Sequence, residues 1–183
     1  MIEKFKILSS KLAYHGAVLD FYSKKMKIPN GNIATWDVLE HRGAAAIIPV
    51  TDEGKIIMVR QYRGGNDSIM LEIPAGGRDS LEEDMKVCAM RELEEETGHY
   101  AKPEDVHHLI DFYSAPAYTS EKIGIFYSEK LYPSKQHLDE NEFVELEEYT
   151  LEELISMIEQ GELTDGKSIA AILAYQNLKN KEI

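Results

Sequence analysis

The chain has 183 residues, 43% hydrophobic and 29% charged, enough to bury a substantial core, and no apolar run reaches membrane-spanning length. A formal net charge of -13 argues against nucleic-acid backbones and anionic membrane surfaces as partners, and it obliges any anionic substrate to be met by locally bound cations. Cys88 is the single cysteine, so no intramolecular disulfide is possible; with charged residues and no signal-like apolar core in residues 1–12, the chain is expected in the cytoplasm.

Residues 5–8 and 17–22 read as short strands. Pro29-Asn30-Gly31-Asn32 is a turn, because Asn-Gly suits the positive dihedrals of a hairpin, and residues 33–39 form the returning strand. That strand carries the only tryptophan, Trp36, which reads first as a core residue and second as a platform on which a base stacks. Residues 43–50 are a buried-strand run, and a turn at Asp52-Glu53-Gly54 leads into residues 55–62 as its expected partner. A further strand over 69–73 ends at Pro74-Ala75-Gly76-Gly77, where two glycines let backbone approach a phosphate or a metal closely.

A helix follows. Ser80 with Glu83 reads as a capping box that starts it, Met85, Ala89 and Leu93 give its buried stripe, and Gly98 suits the left-handed residue past its end. Strands are expected over 106–113, 123–131 and 143–149, the last preceded by the acidic loop Leu138-Asp139-Glu140-Asn141-Glu142. The adjacent His107 and His108 point to opposite faces of their strand and read as structural. Thr150 with Glu153 caps a helix that runs to Gly161. A last helix starts at Thr164 or Asp165, with Ile169, Ile172, Leu173 and Leu178 facing inward. Strands, helix, strands, helices in that order predict an α+β fold with a mixed β-sheet between α-helices.

The chemistry concentrates between Gly77 and His99. Glu92 and Glu96 lie one helical turn apart with Glu95 beside both, and only Arg91 interleaves a positive charge. Like charges at that spacing repel, and hard divalent cations are the partners that carboxylate oxygens suit. The segment resembles the Nudix box, G-x5-E-x7-R-E-U-x-E-E-x-G-U, with U a bulky apolar residue. Gly77, Glu83, Arg91, Glu92, Leu93, Glu95, Glu96 and Gly98 fall in register, and only His99 departs, in the final apolar position.

The resemblance, which spans about residues 15 to 178, implies the Nudix fold and hydrolysis of a nucleoside diphosphate linked to another group. It makes Glu92, Glu95 and Glu96 metal ligands together with the carbonyl of Ala75, Gly76 being the alternative, and leaves Gly77, Glu83, Arg91 and Gly98 structural roles in the motif. Magnesium is the expected metal, with manganese as its substitute. Within the family the chain resembles the ADP-ribose pyrophosphatases. That likeness takes the general base from Glu140-Asn141-Glu142, with Glu142 preferred and Glu140 the alternative; without it the segment reads as a solvated acidic loop.

It also assigns phosphate or ribose contacts to Arg63 and, more weakly, Arg42, and substrate contacts to Ser114–Glu121, where Ala117 and Tyr118 replace the glycines of the family's loop. Glu121 closes that loop, and Trp36 or Tyr22 stacks on the base. Residues 1–40 are then a small antiparallel β subdomain that builds a homodimer, and 41–183 the Nudix domain. The expected reaction is cleavage of ADP-ribose to AMP and ribose 5-phosphate. GDP-mannose or another nucleotide sugar is the second substrate reading, and a Nudix module that senses a nucleotide without cleaving it is the third.

Overall fold

Residues 6–40 build an antiparallel sheet of their own: β1 (Lys6–His15), β2 (Asp20–Lys27) and β3 (Ile33–Glu40) pair in the order β1-β2-β3. The computed structural model describes residues 2–16 and 19–182, so the expected strand start at Ala17 and Val18 lies outside the described residues. The turn at Pro29–Asn32 joins β2 to β3, with the Gly31 amide donating to the Ile28 carbonyl. The sheet carries many apolar side chains that the described residues leave exposed. Ile7, Leu12 and Ile33 are each more than half exposed, and Trp36 is 45% exposed beside Phe5, 5.6 Å between ring centres. Trp36 is therefore not a core residue of this chain.

The chain divides into two units, residues 1–43 with 113–122, and residues 44–112 with 123–183. The second unit is organised on β4 (Ala44–Pro49), every residue of which is buried. A strand covered on both faces has no polar side to alternate with, which is why its sequence is continuously apolar. β5 (Ile56–Arg63), β6 (Ser68–Glu72) and β7 (Ala75–Gly77) follow, then α1 (Met85–Thr97), β8 (His99–Tyr100), β9 (His107–Tyr113), β10 (Lys122–Ser128), β11 (Tyr132–Pro133) and β12 (Val144–Tyr149), and α2 (Leu151–Gln160) and α3 (Gly166–Glu182) end the chain.

β4 lies between β10, parallel to it, and β7, antiparallel, in a mixed sheet of order β7-β4-β10-β9. β5 does not join that sheet. It pairs with β12 and β6, and packs its side chains against β4 without a ladder, the isolated bridge Val50 to Ile56 lying just past the end of β4. The tight turn at Gly54 does form, but β4 spends both its edges on β10 and β7, so the expected β4–β5 ladder has no edge to use.

The two faces of β4 separate the core into two layers. Ala45 and Ile47 pack with Cys88, Ala89 and Leu93 of α1. Ala44, Ala46 and Ile48 face Met58, Ile125, Leu154 of α2 and Ile172 of α3. Helices on both sides of the mixed sheet are the layout the element order implied. The capping box of α2 at Thr150 and Glu153 is formed, and Asp165 starts α3 by accepting from the Ser168 amide. Leu173 does not face inward: it is 44% exposed, and the buried aromatic on that helix is Tyr175.

α1 begins later than Ser80. Its cap is Asp84, whose carboxylate accepts from the amides of Lys86 and Val87. Ser80 Oγ instead accepts from the amides of Glu82 and Glu83, and Glu83 reaches back to the Asp79 amide. The Ser80–Glu83 pair thus closes a turn in the approach loop, and Asp84, one residue on, competes better for the first free amides. Gly98 ends α1 at φ 67°, donating to the Glu94 carbonyl.

Candidate active site

The acidic face of α1 is buried against the turn that precedes it. Glu92 and Glu96 are buried beside β7, whose pairing with β4 sets Gly76 opposite Ala45 and Ala75 opposite Ala46. The Ala75 amide donates to Glu96 Oε2 at 2.9 Å, and Gln61 Nε2 reaches Glu96 Oε1 at 3.4 Å. Gly76 leaves space that no other residue would: a Cβ there would lie 2.1 Å from Glu92 Oε1.

Arg91 neutralises the outer part of the cluster. Its guanidinium donates to Glu92 at 2.6 Å, to Glu95 at 2.9 Å, to Glu83 at 3.2 Å and to the Gly77 carbonyl at 2.9 Å. Arg91 and Glu83 thereby tie the turn to the helix. Cys88 lies beneath, its thiol directed at the Gly76 and Gly77 carbonyls, and burial pushes it up to about 12, so it is a neutral donor and no nucleophile.

The inner part is only partly compensated. Burial pushes Glu92 up to about 7, Arg91 pulling against it and Glu95 and Glu142 adding to the rise. Burial pushes Glu96 up to about 8, the Ala75 amide opposing and Glu92 and Glu142 adding. Buried carboxyls held near neutrality by burial and mutual repulsion are what a divalent cation would relieve. Among the described residues no three ligating side chains already converge as a formed metal cluster. The donors are all oxygens, though, and Glu92, Glu95 and Glu96 with the carbonyl of Ala75 or Gly76 fit a hard divalent ion.

These residues line one cavity of about 320 Å³. Arg63 and Glu142 line it too; Glu140 does not. Glu142 is exposed, and its carboxylate accepts from the Asp139 amide at 3.1 Å. The loop carrying it is fastened to the C-terminal end of α1, where carbonyls lack helical partners. There the Glu95 carbonyl accepts from the His137 amide, the Glu96 carbonyl from Gln136 Nε2, and the Gly98 carbonyl from the Ser134 amide. The acidic loop brings Asp139 into the cavity wall as well, and sequence reasoning missed Gln61 and His137 there. Nothing in their local pattern marks them, since they arrive by strand pairing and by this fastening.

Arg42, Trp36, Tyr118 and Glu121 belong to the first unit. There the Ser114–Glu121 loop pairs with β3: the Leu39 amide donates to the Tyr118 carbonyl and the Ser120 amide to the Leu39 carbonyl. A cavity of about 450 Å³ is lined by Leu19, Leu39, Tyr118 and Glu121, with His41 Nδ1 3.5 Å from the Glu121 carboxylate. Tyr118 is exposed, and Arg42 sits between β3 and β4. Arg60, by contrast, is occupied by a two-point ion pair with Glu147.

Comparison with known proteins places the chain in a family. A family model described as the NUDIX domain matches residues 40–172. An ADP-ribose pyrophosphatase of Bacillus subtilis is 40% identical over 95% of this chain and 93% of its own. A methanol dehydrogenase activator of Bacillus methanolicus is 36% identical, covering 93% of this chain and 92% of that one. In fold, the chain matches the crystal structure of an ADP compounds hydrolase with a TM-score of 0.86 at 24% identity, over 100% of this chain and 97% of the other.

Proposed function

The chain belongs to the Nudix family of hydrolases, and from that premise we propose that it cleaves ADP-ribose to AMP and ribose 5-phosphate, with magnesium as the bound cation and manganese able to replace it. Nudix hydrolases generally use divalent metal ions. The observation that carries the substrate is the 40% identity, over almost the whole of both chains, to a protein named for ADP-ribose pyrophosphatase activity. Glu92 and Glu96 remain buried and only partly compensated, with Glu95 half-buried beside them, which supports a working metal site over a sensing module.

A divalent cation held by Glu92, Glu95 and Glu96 would supply neutralisation of the pyrophosphate charge and would favour deprotonation of the attacking water. The chain's own residues do the rest. Arg91 keeps Glu92 and Glu95 turned toward the cavity. Arg63, which lines the same cavity, offers its guanidinium to a phosphate. Glu142 accepts the proton of the attacking water, the new bond forms at one phosphorus, and the bridging P–O bond breaks, its electrons leaving on the departing phosphate. Glu140, two residues earlier in the same turn, is the alternative base. In the first unit Trp36, or Tyr22, offers a ring to the base, and Tyr118, Glu121 and Arg42 are assigned to substrate contacts by the resemblance. The experiment is a panel of ADP-ribose, GDP-mannose, ADP-glucose and diadenosine polyphosphates with magnesium present. ADP-ribose is expected to lead in kcat/KM by about tenfold or more. A lead by GDP-mannose would move the chain to a nucleotide-sugar branch without touching the family assignment.

The uncovered apolar side chains of β1 to β3 support a homodimer built through this sheet, because exposed apolar patches of that extent mark interfaces and twofold pairs are the commonest solution. Light scattering is expected to give about 42 kDa, twice the 20.8 kDa chain. A monomer at micromolar concentration would contradict it. We place the enzyme in the cytoplasm, with small nucleoside diphosphates and neither nucleic acid nor membrane as partners, on the strength of its charge of -13. Among the described residues no helix is long and apolar enough to cross a membrane.

A further inference from the structure

Arg63, at the cavity wall, belongs to a closed ring of charged and polar groups whose other members the hydrolysis itself does not use. Glu72, at the end of β6, is 1% exposed, and it accepts from Arg63 at two points, Nε to Oε1 at 2.8 Å and Nη2 to Oε2 at 2.7 Å. Lys167, in the first turn of α3, also donates to Glu72 Oε2, and to Asp165 Oδ2 at 3.1 Å. Asp165 Oδ2 accepts from Ser168 Oγ at 2.6 Å and from the Ser168 amide at 2.9 Å. Ser168 Oγ accepts from the Ile73 amide at 2.8 Å, which closes the ring beside Glu72.

We propose that Glu72 and Lys167 are positioning residues that aim Arg63 at the substrate's pyrophosphate, an inference that rests on the role given to Arg63 above. The argument begins with donor geometry. A guanidinium has five N–H donors on a rigid fork. Glu72 takes the Nε edge, using one N–H on Nε and one on Nη2. The Nη1–Nη2 edge, which is the other two-point edge of the fork, is left for an acceptor, and Arg63 lines the same cavity as Glu92, Glu96 and Glu142. Gripping one edge fixes the direction of the other.

Charge supplies the second half. The ring holds two carboxylates, Glu72 and Asp165, and two cations, Arg63 and Lys167, all at least half buried as side chains. Burial raises Glu72, but Arg63 and Lys167 outweigh it and hold it below the usual carboxylate range, so it is ionised when substrate binds. Without Lys167 two carboxylates would face one guanidinium, and Arg63 would be drawn into the ring and away from a phosphate. With Lys167 in place the outer edge of Arg63 retains its attraction for an anion, against the repulsion of the acidic wall opposite. A plain stabilising network would need neither a guanidinium at its cavity end nor a free edge on it.

The test is a two-by-two comparison on the full chain, with ADP-ribose and saturating magnesium: wild type, Lys167→Met, Arg63→Ala and the double variant. Lys167→Met is expected to raise KM about tenfold with kcat within about threefold, and the same change in the Arg63→Ala background to add less than about twofold. Lys167→Arg, which restores the charge, is expected to recover most of the KM. If Lys167→Met does not fold, Lys167→Gln, which keeps a donor toward Glu72 but no charge, carries the same expectation. An equal rise in KM with and without Arg63, or an unchanged KM in Lys167→Met, overturns the positioning role. An unchanged KM in Arg63→Ala alone overturns instead the phosphate assignment of Arg63, so the two failures are told apart. A lower melting temperature without the KM pattern marks the ring as scaffold alone and likewise overturns the proposal.

Discussion

Glu96→Gln lowers kcat by about a hundredfold or more, and Glu92→Gln does the same, while the fold survives both. The two carboxylates are buried around the cavity, and removing either charge weakens the hold on the cation that stabilises charge in the transition state. Stability moves the other way, with a pH signature. A carboxyl whose folded pKa is raised contributes stability below its unfolded pKa and loses that contribution as pH rises through the folded value. Glu92 and Glu96 are raised from 4.5 to about 7 and about 8, so the metal-free chain becomes less stable as pH rises through that window. Glutamine has no proton to lose. In chelator, then, Glu96→Gln should melt near wild type at about pH 5 and above it at about pH 8, and added divalent cation should stabilise wild type far more than the variant. Near wild-type turnover in either variant would sink the metal assignment, and an identical pH slope of melting would show that the charges do not repel as described.

The division between what was legible in the sequence and what was not follows interaction range. The α1 stripe of Ala89 and Leu93, the ends at Gly98 and Gly161, the Thr150–Glu153 cap and the acidic register of Glu92, Glu95 and Glu96 all depend on neighbours within a few residues. Such features are written locally and were readable. The start of α1 was misplaced because Ser80 and Asp84 offer the same chemistry four residues apart, and only the path of the approach loop chooses between them. The β4–β5 ladder was misread because a tight turn predicts adjacency, whereas edge occupancy is decided by β7 and β10, drawn from distant sequence. Trp36 and Leu173 show the same limit: an apolar residue announces burial without naming the surface that covers it. Gln61, His137 and the Glu72–Lys167 pair reach their places only through tertiary pairing, 35 or more residues from their partners for Gln61 and 95 for Lys167.

Glu142→Gln should cut kcat by about a hundredfold while leaving the affinity for the divalent cation close to wild type, which separates it from the α1 carboxylates. The separation has a geometric basis. Glu92 and Glu96 are buried and held by α1 and the Ala75 amide, while Glu142 is exposed on a loop at the cavity wall, held only by its turn with Asp139. A ligand needs fixed oxygens, whereas a base needs reach to a water and an aqueous route by which to lose the proton again. Its charge is felt by Glu92 and Glu96, both of which it pushes upward, so it lies within electrostatic range of the proposed metal. Removing that charge should, if anything, make the inner carboxyls easier to ionise. Glu140 does not line the cavity, so Glu140→Gln is expected within about threefold of wild type. Metal affinity by calorimetry and kcat on ADP-ribose, measured on the same preparations, decide the matter. Loss of metal binding with loss of turnover in Glu142→Gln would make it a ligand; a larger effect from Glu140→Gln would exchange the two roles; and wild-type turnover in both would mean the acidic loop is a solvated surface and the proton leaves by another group.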